Sequence, residues 1–552
     1  MDTTALPGNP GAFAGAGWDR IRPHYDDLAR APLDHATAPG WLRAWSHLEE
    51  LLTEAANRAY IAHTADTRDA ARAEEERRFA ADVWPRAEAE RVRLSARLLD
   101  LGYAPPGLAT TLRRFANRRA LFREENAAPL AALATLDGHY QGLIGALTVD
   151  WDGTALTRAQ VRPFALAPDR ATRERAFRAQ AAPLVARRDA FEDLFDRQLA
   201  LRQTIARNAG FRDYRDYAHR EKGRFDYTPD DCVRFHEAVA AAVVPAVRRR
   251  LERRRRLLGL GALRPWDTAH DPLGRPPLAP FAAAAGLIGP AEAILARLDP
   301  ALGAQVGMLR EEGLLDLASR PGKAPGGYSI ALPWRKRPFV FMNAAGTARD
   351  VEVLLHELGH AAHSLARFAA QPLFWQRDPG LEMNELAALA LELLAAPHLD
   401  REAGGYYAPA EARRARAEQL DTVLTSAAAI RPARRLAAVG LHQPRRRRPG
   451  RARRRLASPE RALPARGGLG RAGGGAGGAA ARVLPTVSRS VLPDRVRVRA
   501  GRGAAALAHE PGGPGRDGGA LPRRAGPRRD AAAAGPVRGR GRAVRHRYPD
   551  AR

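Results

Sequence analysis

The sequence predicts a mainly α-helical protein whose ordered part ends near residue 430. Through residues 1–430, Ala, Leu, Arg and Glu recur at three- to four-residue spacing, as in LRAWSHLEELLTEAANRAYIAH from Leu42, which is the periodicity of amphipathic helices. One short region after Arg320, RPGKAPGGYSIALPWRKRPFVFMN, joins a Gly-rich loop to the strand-like run PFVFMN. Residues 431–552 instead hold a single aromatic residue, Tyr548, among many Arg, Gly and Pro, and this composition predicts a disordered tail.

The helical part is predicted to divide into two lobes. Turn-forming sequences interrupt the helices at LGYAPPG (101–107), at LTVDWDG (147–153) and through the proline-rich stretch 263–281. We place the boundary near residue 150. Residues 1–150 would then form an N-terminal helical lobe, residues 151–430 a second region, and residues 431–552 the tail.

The positive charge of the chain is concentrated in the tail. The formal net charge is +28, but residues 431–552 contain 31 arginines, no lysine and 6 acidic residues, whereas residues 1–430 contain 58 basic and 55 acidic residues. An evenly polycationic chain would be expected to bind nucleic acid or a membrane surface. The helical part is nearly neutral, so we expect no specific nucleic-acid partner for it.

Cysteine content and apolar runs predict a soluble protein from a reducing compartment. Cys232 is the single cysteine, so no internal disulfide can form. The stretch MDTTALPGNPGAFAGAG has neither the basic segment nor the continuous apolar segment that directs export. The longest apolar run, AVAAAVVPAV after Glu237, is too short to cross a bilayer and contains a proline. We therefore expect no association with a membrane.

The stretch VLLHELGHAAHSL, residues 353–365, carries a chemical signal. Thr347 followed three residues later by Asp350 is typical of a helix N-terminus. In the helix that follows, His356 and His360 would project from one face about one turn apart, and one metal ion can bridge that spacing. Glu357 lies beside the first histidine, where it could take a proton from a metal-activated water. Taken alone, the same pattern also fits two solvated helix histidines.

A zinc site of this kind needs a third protein ligand. The run LEMNELAALALELLAAP supplies Glu385, 25 residues after His360, and we predict one Zn²⁺ per chain. Glu382 and Glu392 are the alternatives. We expect Glu382 to be a solvated carboxylate, and Glu392, two turns from Glu385 on the same helix face, to support a ligand by hydrogen bonding. His363 is expected to be a hydrogen-bonding neighbour of the site rather than a ligand.

Longer motifs around these residues resemble the M3 family of zinc oligopeptidases, in particular its oligoendopeptidase F branch. The resemblance is carried by HELGH at 356–360, ELAALALELL from Glu385, DLASRPGKAPGGY at 316–328 and PFVFMNAAGTARDV at 338–351. Residues 201–239 and 263–281 are also similar, so roughly residues 20–430 are covered. The resemblance implies a two-lobed, zincin-like helical molecule with a deep central channel. It also implies cytoplasmic endopeptidase activity on short, unstructured peptides, with residues 151–430 as the catalytic region.

The resemblance implies specific roles for individual residues. By position, His356, His360 and Glu385 would bind zinc, and Glu357 would be the general base. The Gly-rich loop GKAPGGY, residues 322–328, would bind the substrate backbone in the channel. The loop residues implied in this contact are Gly326, Gly327 and Tyr328. The alternative is that this Gly- and Pro-containing segment forms only a turn.

The oxyanion-stabilising tyrosines and histidine of the family would come from a segment after residue 430, where this chain is almost free of aromatic residues. A frameshift explains the absence. When every codon is read one base out of register, the residues of the present sequence mostly fix the first and third bases of each new codon. Only the middle base is then free, so only a few amino acids are possible at each position. The shifted frame permits FYQIEYGFAQVGALQLW at 491–507 and DALQRWVYTNP at 434–444, and both resemble the C-terminal segments of the family. The hypothesis is that the reading frame is lost near residue 430 and that positions beyond about Arg431 are translated out of frame.

Two alternatives to a working peptidase remain open at this point. The arginine-rich tail could be a genuine arm that binds nucleic-acid phosphates through counterion release. The written chain could instead be an inactive peptidase remnant, because the metal ligands and the base are present while the oxyanion donors are missing. Loss of one such donor typically lowers turnover by roughly a hundred- to a thousand-fold.

Overall fold

Helices make up most of the chain from Trp18 onward. The structure, a computed structural model, describes residues 6–442 and the side chains as far as residue 428. The mainly α-helical class predicted from the sequence is confirmed. The first six helices are α1 (Trp18–Arg30), α2 (Ala38–Ala65), α3 (Ala70–Arg78), α4 (Trp84–Leu101), α5 (Ala109–Leu121) and α6 (Ala127–Gly145), with a π-helical turn at Phe79–Val83 between α3 and α4.

Helix α2 is the centre of the N-terminal core. Its Trp41 and Trp45 are almost fully buried, with ring centroids 5.3 Å apart. Leucines and alanines from α1, α2 and α4 complete this core. Trp375, which comes far later in the chain, is also one of its buried members. The N-terminal helices are therefore packed directly against a segment that follows the predicted metal motif.

A short hairpin follows the first six helices, at the place where LTVDWDG predicted a break. Strands β1 (Thr148–Trp151) and β2 (Thr154–Thr157) pair antiparallel, and Asp152 and Gly153 connect them with φ of 53° and 78°. An Asp-Gly pair with two positive φ values is the preferred two-residue hairpin turn. The lobe boundary predicted near residue 150 falls in this hairpin, and the division into lobes stays a prediction.

Six further helices lead to the region of the motif. They are α7 (Arg170–Ala186), α8 (Arg188–Asn208), α9 (Tyr214–Glu221), α10 (Pro229–Leu257), α11 (Ile288–Leu298) and α12 (Pro300–Glu311). Between α10 and α11, the chain contains only short 3-10 turns. This irregular stretch includes the residues 263–281 in which prolines predicted the absence of a continuous helix.

The predicted extended region forms a small mixed sheet. Its strands are β3 (Leu315–Ala318), β4 (Tyr328–Leu332) and β5 (Arg337–Ala344), in the order β3-β5-β4. Strand β5 runs parallel to β3 and antiparallel to β4. The Gly-rich loop joins β3 to β4, and β5 leads directly into the helix that carries the histidine motif. The last three helices are α13 (Ala348–Ala370), α14 (Leu381–Ala395) and α15 (Pro409–His442).

A second core surrounds the motif helix. Leu354, Leu355 and Leu358 of α13 are almost fully buried, with Val340 and Met342 of β5 beside them. The backbone of α15 continues to His442. The rest of the predicted tail, residues 443–552, lies outside the described residues.

Candidate metal centre

The motif helix begins at the residues predicted to cap it. The carboxylate of Asp350 accepts hydrogen bonds from the backbone N–H of Thr347 at 2.8 Å and from its hydroxyl at 2.9 Å. Arg162 makes a 3.3 Å ion pair with the same carboxylate, and both Thr347 and Asp350 are buried. A buried N-terminus held this way fixes where α13 starts, and hence which face of the helix its histidines occupy.

His356, His360 and Glu385 converge on one point. Nε2 of His356 lies 3.5 Å from Oε2 of Glu385, Nε2 of His360 lies 4.0 Å from the same oxygen, and one candidate donor atom from each of the three residues lies within 4.8 Å of the others. All three side chains are buried. Two atoms each about 2.1 Å from a zinc ion are at most about 4.2 Å apart. The histidine–carboxylate separations therefore suit a shared ion better than direct hydrogen bonds.

A glycine inside the motif sets the separation of the two ligand-bearing helices. A Cβ atom built at Gly359 would lie 2.7 Å from the Cα of Ala388 and 3.1 Å from its carbonyl oxygen. Because that obstacle is backbone, α13 and α14 can approach this closely only with glycine at 359. The sequence alone indicated no structural role for Gly359. The only signal was a glycine in the interior of a predicted helix.

Glu392 supports the first histidine. Its Oε1 lies 2.6 Å from Nδ1 of His356, and both side chains are buried. With Nδ1 donating to a carboxylate, the Nε2 of His356 is left available to a metal ion. The Nε2 of Gln419 on α15 donates to the carbonyl of Glu392 at 3.4 Å, which ties the last helix to the same position. The structure thus contains the hydrogen bond between His356 and Glu392, and the supporting role of Glu392 in a metal site stays a prediction.

The side chain of Glu357, the residue after His356 on α13, lies against the Gly-rich loop. A Cβ atom at Gly327 would be 3.3 Å from Oε1 of Glu357 and 3.2 Å from Cγ1 of Val353. The backbone of Gly327 therefore lies directly against the carboxylate of the predicted base. Gly326 has φ of 110°, and its carbonyl accepts a 2.9 Å hydrogen bond from Nδ2 of Asn343 on β5. The loop is thus ordered next to the candidate site.

The side chain of Tyr328 packs against α2 and β5. Its hydroxyl is 2.7 Å from Oγ1 of Thr64 on α2, and its ring stacks on Phe341 with a centroid distance of 4.6 Å. Burial raises the pKa of the Tyr328 phenol well above its ordinary value. Any contact of Tyr328 with a substrate would consequently involve its backbone, and its predicted role remains a prediction.

Lys323 anchors the Gly-rich loop, a role that the sequence analysis missed. Its Nζ donates to the carbonyls of Met342 at 2.6 Å and Ala318 at 2.8 Å, and to Oδ1 of Asp316 at 2.9 Å. Burial lowers the pKa of this ammonium group to about 8. These acceptors come from both β3 and β5, so one side chain joins the loop to two strands. A lysine following a glycine offered no sequence signal for such an anchor.

Glu382 and His363 are the remaining two residues that the sequence analysis considered for the site. Glu382 is exposed, and its Oε1 accepts hydrogen bonds from Nε of Arg224 at 2.8 Å and from the hydroxyl of Tyr227 at 2.7 Å. Arg224 also holds the pKa of the Glu382 carboxyl below its ordinary value, against the effect of partial burial. His363 is half-buried on α13, and its carbonyl accepts from Nε of Arg367. Its role next to the site stays a prediction.

This fold, with two histidines and a glutamate on one helix and a second glutamate facing them from another, is that of a peptidase. The model of peptidase family M3 matches residues 164–279 and 302–436 of the chain. The resemblance inferred from the sequence is therefore confirmed. No curated protein sequence matches the chain.

Solved structures share the fold. A PZ peptidase A bound to an inhibitor aligns with a TM-score of 0.80 at 21% identity, covering 88% of this chain and 86% of that one. A structure described as oligoendopeptidase F aligns with a TM-score of 0.78 at 22% identity, covering 88% and 85%. Another described as oligoendopeptidase F, from Bacillus anthracis, gives 0.74 at 20% identity, covering 81% of each chain. At these identities the likeness concerns the fold.

None of the helices described within residues 6–442 combines the length and apolar character needed to cross a bilayer.

Proposed function

We propose that the chain is a zinc-dependent endopeptidase that hydrolyses short, unstructured peptides in the cytoplasm. One observation carries the proposal: candidate donor atoms of His356, His360 and Glu385 converge within 4.8 Å of one another, and Glu357, the residue after His356 on the same helix, has its carboxylate against the backbone of Gly327. The match to the model of peptidase family M3 supports the same conclusion.

The donor set suits zinc. Two imidazoles and one carboxylate are the ligands of many catalytic zinc sites, which leave a further position for water or substrate. All three ligand side chains are buried, and Glu392 orients His356. A buried carboxylate next to two imidazoles is favourable when a cation neutralises it. We therefore assign one Zn²⁺ to each chain, bound by His356, His360 and Glu385.

The protein's own residues supply the proton transfers and the substrate contacts. Zinc, when bound, polarises the scissile carbonyl and lowers the pKa of water. Glu357 accepts the proton of the attacking water at its carboxylate and passes it to the nitrogen of the departing amine. Gly326 and Gly327 offer their backbone to an extended peptide, and the lack of a side chain at 327 lets that peptide approach Glu357. The backbone of Tyr328 continues this contact at the start of β4.

The chain with the present sequence, including residues 431–552, is proposed to be catalytically impaired, because the reading frame is lost near residue 430. The family match supports this hypothesis, since it ends at residue 436. The oxyanion donors expected after that point are replaced by an arginine-rich sequence with one aromatic residue. Removing one such donor typically costs roughly a hundred- to a thousand-fold in turnover. The tail then needs no specific nucleic-acid partner, although its charge alone would bind polyanions.

The metal content of the purified full-length chain tests the zinc assignment. We expect one zinc per chain by elemental analysis, and loss of that zinc in His356→Ala, His360→Ala and Glu385→Ala. Glu311→Ala, at an exposed carboxylate at the end of α12, is a control that should retain zinc. A soluble, folded chain without zinc after incubation with excess Zn²⁺ would contradict the ligand assignment.

A further inference from the structure

Residues 371–380 connect the two helices that carry the candidate ligands. Helix α13, with both histidines, ends at Ala370, and α14, with Glu385, begins at Leu381. The contact at Gly359 fixes how closely these helices approach. The packing at Gly359 and the hydrogen bond between Glu392 and His356 hold α14 against α13. Glu385 lies in the first turns of α14, close to residues 371–380, so the contacts that hold this segment also help to set the position of Glu385 relative to the histidines.

Arg377 closes this connecting segment into a compact loop. The side chain is buried, and its Nε donates to the carbonyl of Gln371 at 2.9 Å while Nη2 donates to that of Pro372 at 2.8 Å. Its Nη1 donates to Oε1 of Glu50 on α2 at 2.6 Å, and Glu50 is buried as well. One arginine thus folds the segment on itself and ties it to the N-terminal helices.

Further contacts attach the same segment to the N-terminal core. The backbone N–H of Phe374 donates to Oγ of Ser46 at 2.8 Å. The ring of Trp375 lies 4.3 Å from that of Trp45 and 5.2 Å from that of Phe115, measured between centroids. Since Trp375 is buried in the N-terminal core, the segment is anchored by packing as well as by hydrogen bonds.

One face of α2 is responsible for the polar contacts, and it reaches beyond the connecting segment. Oε2 of Glu54 accepts the backbone N–H of Arg335 at 2.8 Å, and Nδ2 of Asn57 donates to the carbonyl of Ala331 at 2.7 Å. These two contacts hold strand β4 and the turn after it. A buried polar side chain is tolerated when it is hydrogen-bonded. The buried polar residues on this face, at intervals of three, four or seven, are Ser46, Glu50, Glu54, Asn57 and Thr64.

We infer that α2 positions the metal centre: Glu50, through Arg377, fixes the segment that sets Glu385 opposite His356 and His360. Glu50 and Arg377 are positioning residues, because neither belongs to the ligand cluster. The inference rests on the proposed zinc site. It assigns to a helix near the N-terminus a part in metal binding that neither the histidine motif nor the family match, which begins at residue 164, contains.

The neighbouring Glu49 provides a matched control. Glu49 is buried next to Glu50 in the sequence, but it pairs with Arg91 at 2.6 Å and accepts a 2.9 Å hydrogen bond from Tyr25, so its contacts stay within the N-terminal core. Truncating either glutamate leaves a buried arginine without its carboxylate and should lower the Tm of the metal-free chain. Only the loss of Glu50 should change the metal site.

The experiment measures zinc affinity by competition with a chromophoric chelator, using the full-length chain. We expect Glu50→Ala to raise the Kd for zinc about tenfold, Glu49→Ala to leave it unchanged, and Glu50→Gln, which keeps an acceptor for Arg377, to restore most of the affinity. The visible absorption of the Co²⁺-substituted chain should change in Glu50→Ala only. Should Glu50→Ala fail to fold, Arg377→Lys, which keeps the charge but loses the fork of contacts, is expected to weaken zinc binding in the same way.

The outcomes separate this inference from the proposed zinc site. Zinc affinity that is equal in the wild-type chain and in the folded Glu50→Ala and Arg377→Lys variants would overturn the inference and leave the site intact. Equal losses in Glu49→Ala and Glu50→Ala would also overturn it, because general destabilisation would then explain both. If the wild-type chain binds no zinc, the proposed zinc site is wrong, and the inference that rests on it is wrong as well.

Discussion

Nδ1 of His356 lies 2.6 Å from Oε1 of Glu392, so a residue 36 positions later in the chain decides which nitrogen of the first histidine faces Glu385. Neutral imidazole donates from one nitrogen and accepts at the other. A carboxylate at Nδ1 holds the proton there and leaves Nε2 available to a metal. Helix α14, which carries the candidate ligand Glu385, thus also orients the imidazole of His356 through Glu392.

Removing the Glu392 carboxylate should weaken zinc binding although Glu392 is not a ligand. Glu392→Ala is expected to raise the Kd for zinc about 10- to 100-fold, since partners that orient a ligand histidine contribute this much. Competition titration with a chelator measures the change. Glu382→Ala, at an exposed carboxylate of the same helix, should leave the Kd unchanged. Equal effects from the two variants would show that Glu392 acts only through the stability of α14.

Adding one methyl group at Gly359 should separate the two ligand-bearing helices. In Gly359→Ala, the new Cβ would meet the backbone of Ala388 at 2.7 Å. We expect a loss of about 1–3 kcal/mol in the free energy of unfolding together with weaker zinc binding. Gly142→Ala is the matched control, because Gly142 is exposed in α6 and a Cβ there meets nothing within 4 Å. Denaturant unfolding at fixed zinc concentration distinguishes the two variants.

Glu357→Gln should separate metal binding from catalysis. The amide cannot accept the proton of the attacking water, and general-base catalysis typically contributes about 10²- to 10⁴-fold. When this substitution is made in the frame-corrected chain, we expect zinc to be retained. The rate at which a quenched fluorescent peptide is cleaved should fall by about 10²- to 10⁴-fold. Glu352→Gln, on the same helix, should cleave normally. Chelator-sensitive cleavage that survives Glu357→Gln would assign the base elsewhere.

Lys323→Met should destabilise the fold around the Gly-rich loop. Asp316 would lose an ion-pair partner, and the carbonyls of Ala318 and Met342 would lose their shared donor. Asp316 keeps Arg320 as a partner, so the main cost is two carbonyls left without a donor, about 1–3 kcal/mol for each buried group. Lys336→Met, at an exposed lysine in the turn after β4, is expected to change the unfolding free energy very little. Similar unfolding curves for the two variants would contradict the anchoring role of Lys323.

The frameshift hypothesis predicts an added or missing base between codons 420 and 445. Resequencing the coding DNA checks it directly. The frame-corrected chain should lose the arginine-rich tail, gain aromatic residues and cleave peptides far faster than the written chain. An unchanged DNA sequence would mean that the tail is made. Salt-sensitive binding of mixed-sequence RNA, abolished by truncation at residue 430, would then favour the polycationic arm.

The sequence predicted which side chains come together at the candidate site because local periodicity determines their geometry. A helix places residues four apart on one face, so His356 and His360 could be placed side by side without a structure. Glu385 followed from the need for a third ligand, and its neighbour Glu392 from the helical repeat. The small sheet before α13 was recognisable from the run PFVFMN, although the order of its strands depends on long-range pairing that one sequence does not reveal.

The contacts that the sequence did not predict connect distant parts of the chain. Glu50 and Arg377 are 327 positions apart, and no pattern in either segment indicates the other. Lys323 lies in a loop whose composition suggests only a turn, because a buried lysine depends on acceptors supplied by two strands. The importance of Gly359 comes from the backbone of a neighbouring helix, and a single sequence contains no record of that approach.

The polar face of α2 also bears on when the metal site can form. During synthesis, α2 emerges more than 300 residues before Arg377. The hydrogen bond between Glu50 and Arg377 can therefore form only after the second half of the chain has been synthesised. Contacts of such long sequence separation form late, because a large loop must close first. Zinc uptake by this protein should accordingly report completed folding from the N-terminal helices through α14. A nascent chain that already contains the histidine motif, but not yet α14, would not capture the ion tightly.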